Sequence, residues 1–520
     1  MAEKPRYYVT TPIYYANDAP HIGHAYTSLA CDVLARFKRL DGYDVMFLTG
    51  TDEHGQKIAK AAAAAGMEPL PFTDIVSQTF RDLAKALNLS NDDFIRTTEA
   101  RHRKACQAIW NELLARGDVY LGKYAGWYAV RDEAYYGEDE LTDAPNGRKF
   151  APSGAECEWV EEPSYFFRLS QWGDRLLAFY DENPNFILPH TRRNEVVSFV
   201  KSGMRDLSIS RTAMTWGVPV PNEPDHVMYV WLDALTNYIT AVGYPDTQSD
   251  RYRRYWPADL HMVGKDILRF HAVYWPAFLM AAGLEPPKRV FAHGWWTNEG
   301  QKISKSVGNV IDPYELIKTY GLDQTRYFLM REVPFGNDGD FSRSAMVRRI
   351  NGELANDLGN LAQRSLSMIN KNCGARLPNP GVFTDADKAF LAKAQALLGQ
   401  LRHESDVQAF HKALDHLWFV IGESNRYVDE QAPWALKKTD PARMETVLYV
   451  IAEVLRHLAI LIQPFMPDAM SKLLDQLAVP ADERDFAALT PEHALKPGRP
   501  LPAPQGVFPR YVEPTTENAN

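Results

Sequence analysis

The sequence predicts an α/β fold in which a parallel sheet is interrupted by a small inserted domain and followed by helices. Residues 7–10, 25–40 and 45–48 are predicted to form a strand, a helix and a strand, the pattern of a right-handed βαβ unit. Similar patterns return after the stretch 119–222, which alternates aromatic strands with acidic loops containing Gly and Pro. Residues 343–477 are predicted to be helical. A chain of 520 residues is too long for a single core, so we expect several domains.

The first helix is predicted from its apolar spacing. Its large apolar residues follow one another at steps of four, one and three, which forms a single stripe: Leu29, Val33, Leu34 and Phe37. A turn signal at 41–42 precedes the second strand. In such a unit the loop before the helix faces the ligand crevice of the sheet.

That loop carries His21, Gly23 and His24 at the predicted start of the helix. Free backbone N–H groups and the helix dipole favour an anion such as phosphate at this position. Two histidines three residues apart would equally suit half of a metal site or an ordinary polar surface. Their spacing alone leaves these interpretations open.

A second polar loop is predicted at 49–55, after the second strand. Asp52 in this loop could meet a cationic group, such as a substrate ammonium, in the same crevice. It could also be the N-cap of the alanine-rich helix predicted at 57–65.

After the insertion, strands are predicted at 228–235 and 260–263, and a helix at 267–280. Asp266 follows the second of these strands and Gly264, an arrangement that suits a ribose hydroxyl. His271 shares a helix face with Ile267. This position alone predicts a buried structural histidine.

The loop at 300–309 is basic. Lys302 and Lys305 lie three apart beside small hydroxyl residues such as Ser304, which suits a clamp on a triphosphate. A solvated basic turn is the alternative. In the helical region, Asn360 and Arg364 share the face opposite an apolar stripe.

Composition limits the function classes. The net charge of -9 argues against a protein that coats nucleic acid by bulk charge, but it leaves room for a local basic path. The four cysteines are widely separated, so we expect neither a disulfide framework nor an all-cysteine zinc site. This use of cysteine is typical of a protein in the reducing cytoplasm, where we expect this chain to be located. The chain starts without an apolar signal segment, and its most apolar run, 448–466, contains charged residues; we therefore expect no membrane span.

Taken together, the order and spacing of these segments resemble methionyl-tRNA synthetases, a family of class I aminoacyl-tRNA synthetases, from about residue 6 to about residue 467. Residues 21–24 match the H-I-G-H signature, and 302–306 match K-M-S-K-S with Ile in the apolar place. The segments at 50–55, 231–234 and 264–267 point to methionine within the class.

The resemblance implies a Rossmann-like parallel-sheet catalytic domain with an inserted small α/β connective domain, followed by an α-helical anticodon-binding bundle. The expected bounds are 1–118 and 223–282 for the two halves of the catalytic domain, 119–222 for the insertion, 283–342 for a linking domain with the K-I-S-K-S loop, 343–500 for the bundle and 501–520 for an extended tail.

The implied activity is that of a methionine–tRNA ligase. Methionine would attack the α-phosphate of Mg²⁺-bound ATP to give methionyl-adenylate and pyrophosphate, and the methionyl group would then pass to tRNA(Met), including the initiator.

The resemblance also implies three sets of site residues. The residues implied to bind ATP are His21, Gly23, His24, Gly264, Asp266, Lys302, Ser304 and Lys305, of which both histidines and both lysines are catalytic. Those implied to bind methionine are Ile13, Tyr15, Asp52, Trp231, Ala234, Leu235, Tyr238, Ile267 and His271. Those implied to read the anticodon are Asn360, Arg364 and Trp434, although a tryptophan beside a proline is most often core packing.

One departure concerns zinc. Many relatives carry cysteine pairs for zinc in the insertion, where this chain has only Cys157 and the run 127–133. We therefore expect a zinc-free knuckle held by packing. We also expect a monomer, since the extra C-terminal module of some relatives is not expected.

Three alternative functions stay open: a class I synthetase for another aliphatic amino acid, a related nucleotidyltransferase, or an inactive paralogue that only binds RNA.

Overall fold

The computed structural model describes residues 3–145, 147–303 and 308–513. These residues form two compact units. The sheet unit comprises Arg6–Cys31 and Val45–His293, and the helical unit contains Asp32–Asp44 and the chain from Gly294 onward. The finer division expected from the sequence stays a prediction.

The strands of the described residues are β1 (Arg6–Thr10), β2 (Tyr14–Tyr15), β3 (Asp44–Asp52), β4 (Asp93–Arg96), β5 (Val119–Ala129), β6 (Ala134–Tyr136), β7 (Thr142–Asp143), β8 (Lys149–Phe150), β9 (Glu156–Phe167), β10 (Ile187–Leu188), β11 (Leu207–Ser208), β12 (Ser210–Arg211), β13 (Pro219–Val220), β14 (Glu223–Met228), β15 (Leu260–Gly264), β16 (Val290–His293), β17 (Trp296–Asn298), β18 (Gln301–Lys302) and β19 (Gly339–Phe341).

The α-helices of the described residues are α1 (Ile22–Leu40), α2 (Gln56–Ala64), α3 (Pro69–Ala86), α4 (Ala100–Ala115), α5 (Gly173–Glu182), α6 (His190–Lys201), α7 (Val230–Thr240), α8 (Asp250–Tyr255), α9 (Trp275–Ala281), α10 (Pro313–Tyr320), α11 (Leu322–Arg331), α12 (Arg343–Arg348), α13 (Asn360–Asn372), α14 (Asp385–Asp406), α15 (Phe410–Gln431), α16 (Pro433–Thr439), α17 (Pro441–Ile462) and α18 (Pro467–Gln476).

The main sheet has the order β10-β16-β15-β1-β3-β2, with β4 also on β3. Its pairs β1–β15, β15–β16, β10–β16, β2–β3 and β3–β4 are parallel. The predicted βαβ unit is confirmed as β1, α1 and β3. Because parallel strands end at one edge, the residues after β1, β3 and β15 come together there.

The polar loop predicted at 49–55 is partly wrong, since β3 continues to Asp52 and only residues 53–55 form the loop. Buried pairing with β4 explains the longer strand. Gly50 faces Ile95 in the register, and a Cβ on Gly50 would lie 2.0 Å from the Ile95 carbonyl oxygen. The polar residues 49–52 can therefore continue the buried strand, since Gly50 lets the backbone of β3 approach that of β4 closely.

The strand predicted at 228–235 is wrong beyond residue 228. β14 ends at Met228, and the apolar run after it is the helix α7, in which every residue is buried. A continuous apolar run does not distinguish a buried strand from a buried helix. The helix predicted at 267–280 is a 3₁₀ turn (Lys265–Ile267), a π-helical turn (Phe270–Tyr274) and α9.

The insertion is built on the long antiparallel pair β5–β9. At its far end a small apolar cluster contains Cys157, with Ala129, Ala151 and Ala155. Polar bonds also hold this end together, because Asp132 accepts hydrogen bonds from Tyr136 and Ser153.

The helical unit contains the predicted bundle, from α12 to α18. The apolar run 448–466 lies mainly in α17 and is buried. No helix among the described residues is long and apolar enough to cross a membrane. A buried ion pair crosses the unit, with Arg326 Nη2 donating to Asp32 Oδ2 at 2.7 Å. Residues 501–513 form no helix or strand, and their backbone bonds at Leu501 and Tyr511 tie them to the same unit.

Candidate functional site

The start of α1 is closed by its own histidines. The backbone N–H of His21 donates to Nδ1 of His24, and that of Gly23 donates to Nδ1 of His21, both at 3.0 Å. The prediction that these N–H groups are free for an anion is therefore wrong. A Cβ on Gly23 would lie 2.9 Å from Cε1 of His21, so glycine is needed for this ring position.

These bonds determine the tautomers of the two rings. A backbone N–H can only donate, so Nδ1 of each ring accepts and Nε2 of each neutral ring carries the proton. Burial lowers the pKa of His24 well below its ordinary value, and the charges of His21 and Lys57 lower it further. Partial desolvation also lowers the pKa of His21, against the opposing charge of Asp266. At neutral pH the helix start thus offers two imidazole N–H donors in place of backbone N–H groups.

The His24 ring is held among aromatic side chains. Its centroid lies 4.7 Å from that of Tyr14 and 5.0 Å from that of Phe80, and the two histidine rings are 3.9 Å apart. The Tyr14 hydroxyl donates to the His24 carbonyl oxygen at 3.3 Å. These contacts orient His24 before any ligand arrives.

Asp52 ends β3 at the carboxyl edge of the sheet and is 3% exposed. Its Oδ1 has no hydrogen-bond partner among the described residues. Burial raises the pKa of this carboxyl well above its usual value, and the charges of Asp233 and Glu133 raise it further. The N-cap of α2 is Gly55, so the alternative role of Asp52 as that N-cap is wrong. A buried carboxylate with an unpaired oxygen is costly and is typical of a site that receives a cation.

An aromatic group adjoins Asp52. Tyr15 faces Asp52 across the β2–β3 register, and its ring meets that of Trp231 edge-on at 6.4 Å. Trp231 stacks on Phe270 at 3.8 Å between centroids. Tyr15 Oη and Trp231 Nε1 are also buried and lack partners within the described chain. Three unpartnered polar atoms beside apolar rings suit an amphipathic ligand.

His271 adjoins this group, with its ring centroid 6.0 Å from that of Trp231, and is held in one tautomer. Its Nδ1 lies 2.9 Å from the Ile267 carbonyl oxygen, so Nδ1 carries the proton. Its Nε2 accepts the hydroxyl of Tyr238 at 2.7 Å. Burial lowers the pKa of His271 to about 4, so the ring is neutral at physiological pH.

The remaining residues predicted for methionine line the same unit. Ala234 and Leu235 are buried in α7, and Ile13 and Ile267 pack against the core while partly exposed. The structure therefore joins five of the residues predicted to bind methionine by direct contact or strand register, namely Tyr15, Asp52, Trp231, Tyr238 and His271, and places the other four in the same unit.

Asp266 lies in the 3₁₀ turn directly after β15. A Cβ on Gly264 would lie 2.5 Å from Asp266 Oδ1, so the glycine leaves room for this carboxylate. The charge of Asp266 opposes the lowering of the His21 pKa that desolvation causes. In the sheet register Gly264 is beside His293, whose Nε2 is 2.7 Å from the hydroxyl of Thr27 on α1.

Sequence reasoning missed Lys57, Glu133 and Phe270. Lys57 Nζ lies 4.3 Å above the centre of the Tyr15 ring, and its backbone N–H donates to Glu133 Oε1 at 2.7 Å. The signal available in the sequence for Lys57 was a cation two residues after Gly55, at the start of the helix that follows the predicted ligand loop. Glu133 lies in the insertion, and its approach to α2 had no signal in the sequence.

The basic loop belongs to the helical unit. Lys302 ends the short strand β18 and is exposed, and Asn309 Nδ2 donates to its carbonyl oxygen at 3.0 Å. Ser304 and Lys305 lie outside the described residues.

The three residues predicted for the anticodon are exposed in the helical unit. Asn360 and Arg364 lie one turn apart on α13, and the Arg364 guanidinium is 5.7 Å from the centre of the Trp434 ring. Trp434 is 48% exposed, so the core-packing alternative is wrong. The left-handed conformation of Ala432 (φ 44°) turns the chain from α15 into α16 and brings Trp434 to the surface.

Comparison with known proteins covers nearly all of this chain. Residues 7–366 match the family model described as tRNA synthetases class I (M), and residues 377–519 match that of the anticodon binding domain of methionyl tRNA ligase. A methionine–tRNA ligase of Brucella suis biovar 1 (strain 1330) is 61% identical over 515 residues, which are 99% of this chain and 100% of the relative. One of Mycobacterium bovis is 57% identical over 98% of each chain. The solved structure of Mycobacterium tuberculosis methionyl-tRNA synthetase in complex with methionyl-adenylate is 56% identical, with a TM-score of 0.95 over 98% of this chain and 100% of that one.

Proposed function

Because the chain belongs to the class I methionyl-tRNA synthetase family, we propose that it activates methionine at the carboxyl edge of the sheet unit, with Asp52 as the site of the substrate ammonium. The activity is that of a methionine–tRNA ligase. Methionine and ATP give methionyl-adenylate and pyrophosphate, and the methionyl group then passes to tRNA.

The unpartnered Oδ1 of buried Asp52 carries this proposal. In the free protein, desolvation and neighbouring carboxylates oppose the ionised form of Asp52. A bound ammonium would supply both a hydrogen bond and an opposite charge, which favours the carboxylate. An amino acid would therefore supply the hydrogen-bond partner and the opposite charge that Asp52 lacks in the free protein.

The thioether side chain of methionine fits the group formed by Tyr15, Trp231 and His271. Sulfur is polarizable and makes favourable contacts with aromatic rings. Neutral His271 adds no charge that an apolar side chain would have to desolvate. Ile13, Ala234, Leu235, Tyr238 and Ile267 complete the proposed methionine site.

ATP, as its magnesium complex, is proposed to bind at the start of α1. An oxygen of the methionine carboxylate attacks the α-phosphorus, and the bond from that phosphorus to the bridging oxygen of pyrophosphate breaks. The Nε2–H groups of His21 and His24 would donate to phosphate oxygens on which charge grows. No protein nucleophile is required, because the substrate carboxylate attacks.

Five further residues belong to the proposed ATP site. Asp266 would accept the ribose hydroxyls, and Gly264 would leave room for it. Lys302 and Lys305 would hold the phosphates in the transition state, together with Ser304; this part of the proposal comes from the K-I-S-K-S match alone.

In the second step a ribose hydroxyl of the terminal adenosine attacks the methionyl carbonyl, AMP leaves, and the hydroxyl proton passes to the released phosphate group or solvent. We propose tRNA(Met), including the initiator, as the substrate. Exposed Trp434 and Arg364 would stack on unpaired anticodon bases, and Asn360 would bond to base edges. A cytoplasmic monomer and a zinc-free knuckle belong to the same proposal.

The test is exchange of labelled pyrophosphate into ATP. We expect exchange with methionine and at least a hundredfold less with leucine at equal concentration. Equal exchange with both amino acids, or none with methionine, would contradict the proposed amino-acid site.

A further inference from the structure

We propose that the Lys57 side chain binds the carboxylate of methionine. This deepens the proposed function, on which it rests: Asp52 accounts for the substrate ammonium, but the roles assigned above leave the reacting carboxylate without a partner. A cation that holds this group would also reduce its repulsion from the α-phosphate.

The backbone at Lys57 is held firmly. Its N–H donates to Glu133 Oε1 at 2.7 Å, in the first turn of α2. Gly55 precedes it with a φ of 102°, and a Cβ on Gly55 would lie 2.8 Å from the same Glu133 oxygen. The glutamate and the glycine thus determine where the Lys57 side chain starts.

The Lys57 ammonium is near the site without being neutralised. It lies 4.3 Å from the centre of the Tyr15 ring, and no carboxylate of the described residues lies within 4.0 Å of it. A cation–π contact of this kind is weaker than a desolvated, hydrogen-bonded ion pair. A substrate carboxylate could therefore replace or join it at little cost.

The chemistry of an α-amino acid connects this ammonium to Asp52. The amino and carboxyl groups of methionine are attached to one carbon, so a carboxylate must lie close to the ammonium that Asp52 receives. Tyr15, under Lys57, is the register neighbour of Asp52. A ligand ammonium at Asp52 would therefore bring its carboxylate within reach of Lys57.

The charge of Lys57 also acts on the proposed phosphate site. Burial lowers the pKa of His24 most, and the positive charges of His21 and Lys57 lower it further. Burial lowers the pKa of Lys57, and the charges of Glu133, Asp132 and Asp52 oppose that shift. Lys57 thus lies in the electrostatic field of both proposed subsites, as a group that guides the carboxylate toward phosphorus must.

The experiment compares Lys57→Met, Lys57→Arg and the control Lys60→Met, on the exposed side of the same helix. Binding of L-methionine and of L-methioninol, which has the ammonium and thioether but no carboxylate, is measured by titration calorimetry on the full chain. We expect Lys57→Met to weaken methionine binding about tenfold or more and methioninol binding less than twofold. Lys57→Arg should restore most of the loss, and Lys60→Met should change neither ligand.

Two results would overturn the inference: equal weakening of both ligands, or no effect on methionine. Equal weakening would mean that Lys57 only supports Tyr15. Methionine-dependent pyrophosphate exchange by the unmodified protein is measured in parallel, so failure of the proposed function is recognised separately.

Discussion

Replacing Asp52 by asparagine is expected to weaken methionine binding and to stabilise the protein without ligand. The aspartate and asparagine side chains have nearly the same shape, so the packing around residue 52 is preserved. The amide keeps an oxygen that can accept the backbone hydrogen bond from His54, which now favours the carboxylate. What is lost is the negative charge.

The magnitude follows from burial. Asp52 is 3% exposed and its Oδ1 is unpartnered. Removing one partner of a buried charge pair costs about 2–5 kcal/mol; since the amide still accepts a hydrogen bond, we expect the lower end, about 30- to 100-fold in the Kd for methionine. Without ligand, leaving the buried carboxylate oxygen unsatisfied costs at least about 1–3 kcal/mol, the range for an uncharged polar group. For a folding unit of about 250 residues this corresponds to a rise in Tm of about 2–6 °C.

The gain in stability should depend on pH. Because the pKa of Asp52 is higher in the folded protein than in the unfolded chain, the folded state binds this proton more tightly. The free energy of unfolding therefore falls as pH rises from the unfolded pKa, about 4, through the folded value. Asparagine does not titrate, so the Tm advantage of Asp52→Asn should be small near pH 4 and larger near pH 8.

The assay is thermal unfolding from pH 4 to 8, with and without methionine. Asp82→Asn, at an exposed position of α3, is the matched control and should change neither Tm nor the methionine-dependent rise in Tm. Asp52→Asn should raise Tm and lose that ligand-dependent rise. If the variant is less stable at every pH, or binds methionine like the unmodified protein, Asp52 is a structural residue and the reasoning fails.

Two further predictions concern the helical unit and the insertion. Trp434→Ala is expected to raise the KM for tRNA in aminoacylation about 10- to 100-fold, since base stacking on an aromatic ring contributes about 1–3 kcal/mol, and to leave pyrophosphate exchange unchanged. Phe419→Ala, at an exposed ring on α15, is the control. A loss of exchange in Trp434→Ala would contradict a role limited to tRNA. Metal analysis of the purified chain should find no stoichiometric zinc, and chelation should leave Tm unchanged; one zinc per chain would refute the zinc-free knuckle.

The parts of the fold that the sequence predicted well are those with a clear period. The stripe from Leu29 to Phe37 gave α1, and the short apolar runs on either side gave β1 and β3. The apolar run after Met228 has no such period because α7 is buried on all sides, so strand and helix could not be separated.

The site was predicted in part. The positions of Asp52 and Tyr15 at one edge follow from the parallel strands β2 and β3. The position of Trp231 did not follow, because it lies on the buried helix α7 after the antiparallel strand β14. The closed helix start did not follow, because it depends on the χ angles of His21 and His24, which no spacing reveals. The position of Lys57 depends on Glu133, more than seventy residues further along, and long-range contacts of this kind leave no local pattern.

The central claim is that Asp52 receives the substrate ammonium, and a crystal structure of the protein with methionine bound tests it most directly. We expect the ammonium nitrogen about 2.7–3.1 Å from Asp52 Oδ1, the atom left unpartnered among the described residues. The thioether should lie against Trp231. Methionine bound with its ammonium directed away from Asp52, and Oδ1 bonded only to water, would contradict the account.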